Sequence, residues 1–385
     1  MPKHKAPKSQ AKPAKRASTT LHFATNRPRL SDGFAQDADL LAGAHHPLFL
    51  GRAEVGWVGD PIDTEAPRSL LRAPEIIGDD DFADPVGGAC ARLLDDWLVG
   101  AAARGAVPLF YLHGFSNSFS DALQRAAQIE EFYEAEGLAL APLVFSWPSD
   151  GRVLDPRLFA ADAGLREQYL DDQRDATASA PALARLIREI WRARERAAQG
   201  VTPGASRPRL VLLAHSMGNH ALACGMEALN NGLLTREMEA LFAQAILVAA
   251  DVAANALEPG QPLRLLPQMA EKVTVCISQD CTLSVASQIA NGNRRLGHYG
   301  PTMLANLPPA VEVVDCFSGL DWESRDRILA KGGTEWDVVQ HQWYRNDLKA
   351  RAALAALLAG KKPPFKALEL AQQLDSDRNR HAILA

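Results

Sequence analysis

No apolar run in this 385-residue chain approaches the roughly 20 residues of a membrane-crossing helix, so no membrane span is expected. The N-terminus lacks the apolar segment of a secretory signal, and the expectation is a cytoplasmic protein. Cysteine is scarce. Cys90, Cys224, Cys276, Cys281 and Cys316 are scattered, odd in number and without metal-ligand spacing, which argues against a disulfide framework or a zinc site and favours reduced thiols. Aromatic residues make up 6% of the chain and none interleaves the basic N-terminal charges, so a stacking platform for single-stranded nucleic acid is not expected. No internal repeat is visible.

What remains has the composition of an ordinary globular protein, with 47% hydrophobic residues and a formal net charge of -5. The charge is unevenly spread. Met1 to Arg16 holds six Lys or Arg and no acid, which leaves -11 for the rest, and an acidic body does not suggest a nucleic-acid-binding core. Residues 1–19, rich in Lys, Pro, Ala and Ser, read as a disordered, solvated basic tail. One domain is expected over 20–359, with a polar excursion or lid near 150–178, followed by an extension over 360–385.

The chain is organised around RLVLLAHSMGN, Arg209 to Asn219. Leu210 to Ala214 reads as a buried strand, His215 to Gly218 as a sharp turn, and the residues from Met217 to about Asn230 as a helix. A serine at the tip of such a turn adopts strained backbone angles and tolerates only small residues two positions before and after it. Ala214 and Gly218 occupy those positions around Ser216.

Other elements alternate in type. Leu21–Thr25, Glu54–Val58, Val107–Leu112, Pro142–Phe145, Ala245–Ala250, Val273–Ser278 and Val311–Val314 have the pattern of strands. Helical spacing follows at Ala91–Leu98, from Phe119 to a stop at Gly137 with Ser118 or Ser116 as cap, through Leu183, Leu186, Ile187, Ile190 and Trp191, and over Asp347–Leu358. The stretch from Asp150 to about Asp175 is polar with weak periodicity. This alternation predicts an α/β fold with a mostly parallel central sheet and helices on both faces, its chemistry at the carboxyl ends of the strands.

A serine hydroxyl needs a base, and the base needs a carboxylate to orient it. His341, in VVQHQWYRND beyond the last strand, has the place in chain order that a general base takes on this kind of fold. His298 is its rival. His113 and His215 sit on strand ends and are expected to shape turns, while His4, His22, His45 and His46 fall in tail or loop. For the acid, Asp280 follows the second strand after the turn, and Asp251, one strand earlier, is the alternative; Asp315 and Asp321 read as structural or solvated. The N–H groups of Phe115 and Met217 are the expected oxyanion donors, with Ser116 and Asn117 placed to assist.

With these residues in view, the chain resembles a largely bacterial α/β-hydrolase-fold family that carries a domain-of-unknown-function label. The likeness runs from about Leu21 to Leu358 through ATNRP at Ala24, GRAEV at Gly51, LHGFSNSF at Leu112, FSWPSDG at Phe145, AHSMGN at Ala214 and the His341 segment. It implies an α/β-hydrolase fold with Ser216 as nucleophile, His341 as base and a carboxylate after the penultimate strand. There the family often has an acid followed by an Ala-Leu-like pair, whereas this chain reads Asp280-Cys281-Thr282-Leu283, and Arg157–Gln168 is longer than usual.

The leading expectation is a serine hydrolase that cleaves a carboxylic ester, thioester or amide of a small-molecule acyl substrate through an acyl-enzyme, with neither metal nor organic cofactor. A hydrolase-fold interaction protein with little turnover is the alternative. Loops near Trp147, Trp322, Trp336 and Trp343, with the Asp150–Asp175 excursion, are expected to line the acyl pocket, the Trp side chains themselves being equally suited to the core.

Overall fold

The computed structural model describes residues 18–35, 47–57, 68–78, 87–150, 163–199, 208–233, 238, 240–278, 280, 282–304, 307–316, 341–361, 365–367 and 380–383. The basic tail up to residue 17 and the segment 151–162 lie outside them, as do Cys281, Asp321, Trp322, Trp336, His4, His45 and His46.

The chain opens with β1 (Ser18–Thr25), a hairpin of β2 (Arg29–Leu30) and β3 (Gly33–Phe34), then β4 (Phe49–Trp57), β5 (Arg68–Leu70) and β6 (Glu75–Ile77). From α1 (Ala89–Ala103) the order is β7 (Val107–Leu112), α2 (Phe119–Ala135), β8 (Leu140–Ser146), α3 (Ala163–Ala178), α4 (Ala180–Gln199), β9 (Val211–His215) and α5 (Gly218–Ala228). It continues through β10 (Gln244–Val248), α6 (Leu266–Met269), β11 (Val273–Ile277), α7 (Gln288–Asn291), α8 (Leu296–Tyr299) and β12 (Val311–Asp315). A helical turn, Trp343–Asn346, precedes the terminal helix Leu348–Leu358, after which come β13 (Phe365–Ala367) and β14 (Arg380–Ile383).

Twelve strands form one sheet in the order β13-β14-β12-β11-β10-β9-β7-β8-β1-β4-β5, with β6 also on β4. Pairing is parallel from β1 through β8, β7, β9, β10, β11 and β12 to β14, and antiparallel at both margins. The chain belongs to the α/β class read from its alternation. Its continuous apolar strands arise because both faces are buried. Along β7, Phe110 and Leu112 join the core under α1, α4 and α5, while Leu109 and Tyr111 join the core under α2 and the terminal helix. β9 divides in the same way, with Leu212 and Ala214 on one side and Val211 and Leu213 on the other.

Strand β7 lies between β8 and β9, so the direction of chain progression reverses there. At such a switch point the loops leaving two neighbouring carboxyl ends part to opposite faces and open a crevice. The loops after β7 and β9 are the two singled out from the sequence.

One difference from the sequence reading has a physical cause. The polar stretch read as an excursion is helical from Ala163 onward. Its periodicity is weak because the buried side of α3 carries Asp172 and Asp175 beside Tyr169 and Ala176, so burial there does not follow hydrophobicity. Within the C-terminal extension over 360–385, β14 is a parallel neighbour of β12, through Val313 opposite Arg380.

Candidate active site

The turn after β9 is held by bonds within itself and to the end of β10. Ser216 has φ 53°, in the left-handed region that a residue with a side chain adopts only where its surroundings impose it. Those surroundings are bonds to the backbone. The Ser216 N–H donates to Val248 O (3.0 Å), and the Asn219 N–H donates to Ser216 O (2.9 Å). The Asn219 side chain, fully buried, donates to Ala214 O (3.0 Å), Ser216 O (3.2 Å) and Val248 O (3.3 Å). Gly218 is demanded by proximity: a Cβ there would stand 2.5 Å from His113 O and 2.6 Å from Leu112 O. This lets α5 start directly against the end of β7.

Register brings the second loop alongside. Leu112 pairs with Ala214, so His113 and Gly114 leave their strand beside the Ser216 turn. A Cβ on Gly114 would lie 2.9 Å from Ser216 Cβ, which keeps that position to glycine. The loop is pinned by its own side chains. His113 Nδ1 donates to Gly114 O (2.8 Å), and Asn117 Nδ2 donates to Gly114 O (3.0 Å) and Phe115 O (2.8 Å). Of the two serines considered as helix cap, Ser118 caps α2 in a reciprocal capping box with Asp121, and Ser116 sits in the loop with φ 58°. Ser116 and Asn117 give their N–H groups to Asp172 Oδ2 (3.1 Å) and Ser149 Oγ (3.0 Å).

His341 and Asp280 meet here, although 61 residues separate them. His341 Nδ1 lies 2.6 Å from Asp280 Oδ2, and both side chains are buried. Asp280 Oδ1 accepts the Thr282 N–H at 2.9 Å, so both carboxylate oxygens are engaged. The pair is tied to the Ser216 turn through His215, whose Nε2 donates to the His341 carbonyl at 3.0 Å and whose ring centroid is 4.7 Å from that of His341. Burial, and then the adjacent His341, hold the His215 pKa well below the usual histidine range, so it serves as a neutral donor.

The other candidates are engaged elsewhere. Asp251, the alternative acid, is paired with Arg295 at 2.8 Å and accepts from Tyr169 Oη at 2.6 Å and from the Ser287 hydroxyl. Burial alone raises its pKa, but Arg295 and these hydrogen bonds hold it below the usual carboxylate range. Its backbone still reaches the turn, through an N–H to Ser216 O bond of 3.2 Å. His298, the rival base, places Nδ1 3.0 Å from both the N and the O of Asp280 and so bonds the backbone of the acid. His113 is fully buried and stacked on Trp147, and desolvation takes its pKa down to about 3. Of the two places open to Trp147 and Trp343, acyl pocket or core, both side chains take the core, with no more than 1% exposure.

Four residues that the sequence reading did not single out shape the site: Arg27, Tyr169, Asp172 and Arg295. Arg27 is fully buried and reaches both loops beside the site, giving hydrogen bonds to Asn117 O (2.7 Å), Ser149 O (3.1 Å) and Ser146 Oγ (3.0 Å). Its only signal in the sequence is a place in ATNRP. The Tyr169 ring lies 5.5 Å from that of Phe115.

Among the described residues, no group of His, Cys, Asp or Glu is arranged to hold a metal ion, and no helix is long and apolar enough to cross a membrane. Cys90, Cys224, Cys276 and Cys316 are free thiols. No curated protein and no solved structure matched the chain. A family model described as an alpha/beta hydrolase of unknown function (DUF900) matches residues 99–316, a span that holds Phe115, Ser216, Met217 and Asp280 and stops short of His341. With more than half its length matched and with a mostly parallel sheet whose switch point lies between β7 and β9, the chain belongs to this family of alpha/beta hydrolases.

Proposed function

We propose that the protein is a serine hydrolase that cleaves a carboxylic ester, thioester or amide through an acyl-enzyme. The observation that carries this reading is the His341–Asp280 pair beside a serine held at positive φ. With Nδ1 committed to Asp280, His341 keeps Nε2 as the nitrogen that takes a proton.

In this reading the Ser216 hydroxyl attacks the acyl carbon and its proton passes to His341 Nε2. The tetrahedral oxyanion is held by the N–H groups of Phe115 and Met217. Neither N–H has a protein acceptor among the described residues, while those of Ser116 and Asn117 are taken. Collapse breaks the bond to the leaving group, which receives the proton from His341. Water, deprotonated by the same nitrogen, then attacks the acyl-enzyme, releases the acid and restores Ser216.

The test is covalent labelling with a fluorophosphonate, read by intact mass and peptide mapping, with Ser216→Ala and His341→Ala as controls. Labelling at Ser216 that is lost in both variants supports the reading, and p-nitrophenyl esters of increasing chain length then define the acyl preference. Folded wild-type protein that takes no label overturns it.

A further inference from the structure

Helix α3 reaches both halves of the site from one face. Tyr169 and Asp172, three residues apart, are neighbours on a helix surface. Tyr169 packs on Phe115 and bonds Asp251, whose N–H meets Ser216 O. Asp172 is 2% exposed and joins three segments. Its Oδ2 accepts the Ser116 N–H at 3.1 Å and the Ser149 hydroxyl, and its Oδ1 accepts the Asp150 N–H at 3.3 Å. The Ser149 oxygen in turn accepts the Asn117 N–H at 3.0 Å.

These bonds fix peptide planes. In a trans peptide the N–H and C=O point in opposite directions. The Phe115–Ser116 plane is held at both ends, its carbonyl by Asn117 Nδ2 (2.8 Å) and its N–H by Asp172 (3.1 Å). The preceding Gly114–Phe115 plane is held by its carbonyl alone, through His113 and Asn117. The Phe115 N–H therefore points away from those donors, at an angle set by the torsions between the two planes. Releasing the Ser116 N–H frees that torsion and relaxes the positive φ at Ser116.

We propose that Asp172 is a positioning residue for the oxyanion loop: by holding the Ser116 N–H directly and the Asn117 N–H through Ser149, it presents the Phe115 N–H to the oxyanion. The inference rests on the serine-hydrolase reading. It draws support from electrostatics, because burial pushes the Asp172 carboxyl up to about 7 against its hydrogen bonds, with the Asp150 carboxylate adding to the rise. Among the described residues no cation is paired with Asp172. A carboxylate kept at such a site is costly to the fold, which suits a role in function better than one in stability alone.

The experiment compares wild type, Asp172→Asn and Ser149→Ala in p-nitrophenyl butyrate hydrolysis, in the rate of fluorophosphonate labelling at Ser216, and in thermal midpoint. Misplacing one oxyanion donor predicts a kcat about 10- to 100-fold lower in Asp172→Asn, with KM within about threefold and labelling slowed to a similar degree. The midpoint is expected to stay at or above that of wild type. Unchanged kcat in folded Asp172→Asn overturns the proposal, and so do kcat and midpoint falling together. If Asp172→Asn does not fold, Ser149→Ala decides: a kcat about tenfold lower at unchanged midpoint supports the proposal, and unchanged kcat overturns it. Wild type that takes no label removes the hydrolase reading itself, an outcome seen before any variant is compared.

Discussion

Exchanging each of the two buried carboxylates for asparagine should separate their roles. Among the described residues, the Asp280 carboxylate meets the His341 imidazole and the Thr282 N–H and no cation. In Asp280→Asn the amide oxygen can still accept from Thr282, but its NH2 group then faces His341 Nδ1 and selects the wrong tautomer. By the logic of Ser-His-Asp sites, kcat falls by about 10³- to 10⁴-fold, equivalent to about 4–5.5 kcal/mol of transition-state stabilisation. Asp251→Asn instead strands a guanidinium that is 3% exposed, since Arg295 loses the carboxylate bonded at 2.8 and 2.9 Å. Breaking one partner of a buried pair costs about 3–5 kcal/mol. At about 2.1 cal/mol/K of unfolding entropy per residue over 385 residues, the midpoint drops by about 4–6 °C. The assays are ester hydrolysis per mole of labelled Ser216 and scanning calorimetry. Asp251→Asn inactive at an unchanged midpoint, with Asp280→Asn still active, would refute the reasoning and exchange the two roles.

Other perturbations test the turn and the buried acid. Ser216→Gly should be about 1 kcal/mol more stable than Ser216→Ala in denaturant titration, because glycine adopts φ 53° without strain; equal stabilities would mean that the turn stores none. Gly218→Ala places a Cβ 2.5 and 2.6 Å from two carbonyl oxygens, so a loss of about 1–3 kcal/mol is expected together with loss of labelling, and a variant as stable as wild type contradicts the close approach of α5 to β7. Asp172 keeps its proton to about pH 7 when folded but only to its ordinary 3.8 when unfolded, so the native chain binds the extra proton between those values. Its contribution is complete below about pH 4 and is lost as pH rises to 7, at about 1.4 kcal/mol per pH unit and on the order of 4 kcal/mol in all. The stability difference between wild type and Asp172→Asn, measured by urea unfolding from pH 4 to 8, should fall and then level; a flat difference refutes the assignment.

The sequence by itself determined what depends on near neighbours. The Ser216 turn was legible because a strand, a strained serine, flanking small residues and a helix start are all encoded within Arg209–Asn219, and the Gly114 loop because its strand is an uninterrupted apolar run. Strand and helix alternation sufficed for the α/β class. Choosing between Asp280 and Asp251 was a different problem, since both follow strands whose ends overlook one crevice. Tertiary structure brings Arg295 to Asp251 across 44 residues and His341 to Asp280 across 61, and on these contacts the proposed reading takes Asp280 as the acid. The buried face of α3 escaped the sequence for a related reason: Asp172 is buried by its hydrogen bonds to Ser116, Ser149 and Asp150, and periodicity registers apolar burial alone. Arg27 lay in a recognisable motif, yet three of its partners, Asn117, Ser146 and Ser149, are 90 or more residues away. Local conformation follows from adjacent residues, whereas the pairing of buried charges depends on which strand ends the assembled sheet sets side by side.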